Sequence, residues 1–151
     1  MSSSLFAFLH HLAAFTLFAA LFTQLVLMKH EIDAPLARSL LRIDAIYGVA
    51  AVALILFGAV RVHFTEKGTA YYFHSATFIA KIVLFIAIGL ISIYPTRRFA
   101  AWRRDLKAGR APVLEPAVRG KIRGAIHLEL ALLALVILCA VLMARGIGYF
   151  G

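Results

Sequence analysis

Two adjacent histidines, His10 and His11, lie in "SLFAFLHHLAAFTLFAALF", a stretch otherwise apolar enough to cross a bilayer. Imidazole ionises near neutral pH and is a common metal ligand, so inside such a run it needs a partner. Similar groups recur further along: Arg61 and His63 in "GAVRVHF", then His74 and Lys81 in "FHSATFIAKIVLF". His74 opens the third helix, and the seven positions from it to Lys81, with Phe78 between them, put both on one face. An intramembrane cation costs about 2.5–3.5 kcal/mol even on the lenient insertion scale, and ionisable groups at that depth mark function by default. Lys81, with no acidic partner in its half of the spans, is the most demanding case.

Histidines and cations without a carboxylate constrain the ligand. Imidazole suits copper or zinc, but Arg61 and Lys81 repel a free cation. A ligand that brings its own negative charge fits better. Haem b offers iron to imidazole, a large apolar face, and two propionates to arginine or lysine, and helical bundles hold it by axial histidine. His10, His11 and His74 are the candidate iron ligands. Arg61, His63 and Lys81 complete the candidate cofactor-binding set, with an amine–iron bond from Lys81 as its second possible role. Adjacent helical residues point about 100° apart, so His10 and His11 do not readily serve one iron from the same side. His10 shares a face with Ala13, Ala14, Ala20 and Gln24, which reads as bundle interior. His11 lies with Phe15, Phe18 and Phe22, which reads as lipid or as the edge of a flat cofactor. The plainer account is that Arg61, His63 and His74 mark a membrane interface, where such side chains snorkel.

The elements that position these residues follow from composition. Of 151 residues, 63% are hydrophobic and 15% charged, with a mean hydropathy of +0.91. Soluble domains carry about 45–50% apolar and about 25% charged residues, so the expected fold is all-α: a single four-helix transmembrane bundle over residues 1–151. A spanning helix needs about 20 mainly apolar residues, and four stretches qualify: Leu5–Met28, Ile43–Phe64, Phe73–Tyr94 and Ala125–Ile147. The first is a retained helix, because "MSSS" lacks a basic region and the run exceeds a signal-peptide core. "KHEIDAPLARSLLR" and "TEKGTAYY" are short links. The third link is long, opening on a helix-stopping Pro95 and containing a short amphipathic helix, "RRFAAWRRDLKAG", that ends at Gly109. Cys139 is the single cysteine, which excludes an intramolecular disulfide and a cysteine-pair metal motif. It is expected as a small apolar core residue.

The net charge of +9 resides mainly in the first and third links, where Lys29, Arg38 and Arg42 and then Arg97 to Arg123 fall. Those links lie on one side of a four-span bundle. The positive-inside rule makes that side cytoplasmic and both termini external, in a bacterial inner (cytoplasmic) membrane. Membrane lipids with anionic headgroups are sufficient partners for such a surface, and no nucleic-acid role is expected. The outer half then holds His10, His11, Arg61, His63, His74 and Lys81. Gln24, Asp44, Tyr47, His127 and Glu129 form a second, more ordinary polar set near the cytoplasmic face, with His127 and Glu129 expected as interface residues.

"LHHLAAFTLFAALF", with His10 at the family histidine, resembles the first helix of the HemJ-type protoporphyrinogen oxidases, small four-helix bacterial membrane proteins. "RIDAIYGVAAVALILFGAV" resembles their second helix, with its glycine at Gly58, and "FIAKIVLFIAIGL" their third, with its lysine at Lys81. Leu17 stands where that family has a tryptophan, and the basic third link is longer. The chain resembles more closely still a family of uncharacterised small predicted membrane proteins related to that group. The resemblance implies tetrapyrrole binding, not the same reaction. The expected function is that of a haem b protein in electron transfer or oxidation, acting on a quinol, a porphyrinogen or a reactive oxygen species. A small copper- or proton-handling transporter and a non-catalytic assembly subunit are the alternatives, and each is compatible with a homo-oligomer.

Overall fold

A computed structural model describes residues 2–64 and 68–150; residues 65–67, inside the second link, lie outside them. The described chain forms five helices: α1 (Ser2–Leu27), α2 (Ala34–Phe64), α3 (Gly68–Phe73), α4 (Ala76–Lys107) and α5 (Pro116–Ala144). All but α3 are long and apolar enough to cross a membrane.

The helix boundaries have local causes. The Asp33 carboxylate accepts from the Leu36 amide at 2.8 Å, satisfying one of the amides that open α2. Ser75 does the same for α4, where its hydroxyl accepts from Phe78 N at 3.4 Å. Pro116 occupies the first turn of α5, where its missing N–H costs nothing. Gly109 takes φ +73° just past α4, so the chain turns out of the helix at the residue expected.

Two expectations are corrected. Pro95 does not stop a helix: α4 runs straight through it, and the amphipathic segment is its continuation. An interior proline removes one backbone hydrogen bond and costs about 3 kcal/mol. Beyond it, however, Phe99 is 0% and Trp102 6% exposed, with their rings 5.0 Å apart. Burying a phenylalanine alone stabilises by about 1.5–3 kcal/mol, so the two aromatics offset the broken turn. The third span, in turn, does not begin at Phe73. The short α3 ends there, and α4 starts afresh after Ser75.

The four long helices form a ring in which α1 packs on α2, α2 on α4, α4 on α5 and α5 on α1. α1 therefore faces α4 across the bundle, and α2 faces α5. The core runs along Leu17, Leu21, Leu40, Ile88, Ile122 and Ile126, each almost wholly buried. The outward surface is equally apolar: Phe15 is 72% and Val49 71% exposed. A soluble protein rarely shows so large an apolar surface; lipid is the solvent that fits it. At about 1.5 Å per residue, the 32 residues of α4 extend well beyond a hydrocarbon core of about 30 Å. The excess carries the basic residues.

Candidate functional site

At the end of the bundle that carries the termini, three helices converge on one mixed site. His10, on α1, is half-buried and seats its ring on Gly58 of α2. A Cβ at Gly58 would stand 3.2 Å from His10 Cε1 and 3.5 Å from Nδ1, so the absence of a side chain there makes room for the ring. The imidazole Nδ1 is buried there with no hydrogen-bond partner. Arg61 of α2 and Lys81 of α4 stand close enough for their charges to act on that ring and on each other. Lys81 places its Nζ 5.0 Å over the Phe78 ring, a cation–π contact. It is also within electrostatic reach of Cys139 of α5, so the cysteine expected as plain core filler borders the site. Among the described residues neither Arg61 nor Lys81 forms an ion pair.

The remaining candidates surround this centre. His11 is exposed, with Nδ1 2.6 Å from the Ala7 carbonyl and its ring edge-on to His10 at 6.0 Å. His74 is exposed too, with Nδ1 2.8 Å from the Ala70 carbonyl and its ring 6.0 Å from Phe150. In both, Nδ1 must carry the hydrogen, which leaves the Nε2 lone pair available, the arrangement metal-ligating histidines adopt. His63 is exposed in the last turn of α2. His74 lies in the turn before α4, so the single-helix face expected to join it to Lys81 does not exist. Among the described residues no three His, Cys, Asp or Glu side chains are grouped to hold a metal ion. His10, His11 and His74 are therefore not gathered into one metal cluster. What is gathered is an imidazole with two cations. Beside it, an open apolar groove of about 410 Å³ runs between α1 and α2, lined by Leu9, Ala13 and Phe57 at its His10 end.

The opposite, basic end holds a second polar network. Glu129, expected as an interface residue, is 1% exposed. Across the bundle, the Tyr47 hydroxyl donates to its Oε2 at 2.9 Å. Oε1 is buried without a partner. Next to them Asp44 Oδ1 accepts from Gln24 Nε2 at 3.3 Å and from the Thr96 hydroxyl at 3.0 Å; Gln24 is itself 1% exposed. Nearby on α4, the Ser92 hydroxyl donates to the Gly89 carbonyl at 2.8 Å. Each of the four long helices thus contributes. His127 is exposed and bonded to the Arg123 carbonyl at 2.8 Å. The signal for Glu129 was its register: it continues the stripe of Ile122, Ile126 and Leu133, all buried, at helical spacing.

Four long apolar helices with polar clusters held inside them define a multi-pass helical membrane protein. More particularly, the chain belongs to the family described as "Predicted membrane protein (DUF2214)", whose model matches residues 2–148. No curated protein and no solved structure matches it. None of these comparisons shows the expected likeness to the HemJ-type oxidases.

Proposed function

We propose that the protein holds an anionic, largely apolar cofactor at the terminal end of the bundle, and that this cofactor is haem b. The observation carrying this reading is the convergence of His10, Arg61 and Lys81 from three helices with no carboxylate among the described residues to neutralise them. Two half-buried cations beside an imidazole invite an anion, and the adjacent α1–α2 groove offers apolar surface to its body. The donor set fits haem in kind. His10 has an unpartnered Nδ1, His11 and His74 have available Nε2 atoms, and Arg61 and Lys81 match carboxylates. His63, at the rim, completes the cationic margin.

Bound haem supplies reversible one-electron chemistry. The chain's own residues supply the rest: Gly58 seats the His10 ring, Arg61 and Lys81 hold negative charge, and the aromatic face of Phe78 steadies Lys81. The positive-inside rule places the site in the outer half of a bacterial cytoplasmic membrane. A quinol or a porphyrinogen is the class of electron donor suited to that depth.

Purified protein from haem-replete cells should show a Soret band, and pyridine haemochrome assay should give a fixed haem content per chain. The double variant His10→Ala/His11→Ala should lose that haem, and Lys81→Met should lower its retention while keeping the fold. A colourless wild-type protein, or haem content and spectrum unchanged in these variants, would overturn the proposal.

A further inference from the structure

The network at the basic end is independent of the proposed cofactor site and has its own chemistry. Glu129 is 1% exposed, and among the described residues no cation comes within ion-pairing distance of it. An ionised carboxylate there would be an uncompensated buried charge, whose desolvation one tyrosine hydrogen bond does not repay. The neutral acid avoids that charge and puts its proton within a pocket of oxygen and amide groups. A purely structural role is a poor account of Glu129. Glutamine would accept the same Tyr47 bond without the risk of ionising, and a structural carboxyl would be expected to use both oxygens. Oε1 instead stands buried and unpartnered.

Asp44 has the complementary placement. It is only half-buried, both donors converge on Oδ1, and the charge of Arg103, from the basic extension of α4, reaches it. The charge of Asp44 in turn acts on Glu129 and on Tyr47. Gln24 is the group facing the pair from α1, Asp44 and Tyr47 from α2, and Ser92, Thr96 and Arg103 from α4. On α5 itself Arg123 and His127 lie between Glu129 and the basic end. Arg123 is six residues away, about 9 Å along the helix. A buried acid, the tyrosine hydroxyl bonded to it and a second carboxylate nearer the aqueous end are the parts of a proton-loading site. Intramembrane carboxylates in series commonly form such relays.

We propose that Glu129 carries an exchangeable proton and that Asp44 is the port through which this proton loads from the basic end. Loading transfers one proton from water to the Asp44 carboxylate and on to the Glu129 carboxylate. No bond other than O–H changes.

Infrared spectroscopy on the full chain in phosphatidylcholine vesicles tests this. The wild type should show the C=O stretch of a protonated carboxylic acid at neutral pH, and the band should shift in D2O. Glu129→Gln, which keeps the Tyr47 acceptor, should abolish it. Asp44→Asn, which still accepts from Gln24 and Thr96, should keep the band but slow its deuterium shift several-fold. Tyr47→Phe should move the band without removing it. The proposal is overturned by a missing band in the wild type, by a band that survives Glu129→Gln, or by equal exchange rates in wild type and Asp44→Asn.

Discussion

Gly58 offers the sharpest test of the terminal-end geometry, because two opposing effects there are of similar size. Replacing an interior helical glycine with alanine gains about 0.8–1 kcal/mol of helix propensity. Against that, the new Cβ would stand 3.2 Å from His10 Cε1, closer than ordinary van der Waals contact. The ring must move by a few tenths of an ångström, and a rotation of about 30° off its rotamer costs about 0.5–1.5 kcal/mol. Gly58→Ala should therefore change stability by less than about 1 kcal/mol. Gly58→Val adds two methyls against the same ring. Overpacking of that kind costs about 1–3 kcal/mol. Thermal unfolding in detergent, followed by circular dichroism, should leave alanine near wild type and put valine lower by about 1–3 kcal/mol. Haem content per chain should fall for valine alone. A valine variant with wild-type stability and haem content would show that His10 does not rest on Gly58, and the site built around that contact would fall with it.

Three further outcomes can be measured. Asp33→Ala removes the cap bond to Leu36 N and should destabilise by about 1 kcal/mol, with faster amide exchange confined to the first turn of α2. Gly148 has φ +87°, and a Cβ there would meet Thr77 Cγ2 at 3.0 Å. Gly148→Ala should therefore cost about 1–2 kcal/mol and loosen the Ala76 N to Gly148 O bond of 2.8 Å, visible as faster exchange of the Ala76 amide. Reporter fusions after Gly151 and within Arg103–Arg110 should report opposite sides of the membrane, the latter cytoplasmic; the same side for both would refute the orientation and the outer placement of His10.

The spans were legible because a run of some twenty apolar residues has few stable forms outside a lipid-embedded helix. His10 and His11 separated as expected: His10 turned inward with Ala13 and Ala20, and His11 outward with the exposed Phe15, Phe18 and Phe22. Pro95 was misleading because its local cost is visible in sequence, whereas the burial of Phe99 and Trp102 that offsets it depends on where other helices lie. His74 was misread for a related reason. A seven-residue spacing implies a shared face only when one helix spans it, and the Ser75 cap breaks the chain between them.

Glu129 shows a different limit. Its position near a basic link made an interface role the natural reading, and linear distance from a charged segment is a poor measure of depth when α5 begins at Pro116, well before the apolar run. What settles its depth is register, since Ile122, Ile126 and Leu133 carry it into the centre of the bundle, where Tyr47 meets it from the helix diagonally opposite. The same diagonal logic joins His10 to Lys81 at the other end. On α4, Lys81 and Ser92 are eleven residues apart, about 16 Å, and the buried Ile88 lies between them. That apolar layer keeps the cationic site and the acidic network from neutralising each other. An ion pair between them would satisfy both and leave neither able to take a ligand or a proton. Each cluster stays uncompensated because the core holds them apart, and for that reason substitutions in one should leave the other's chemistry intact.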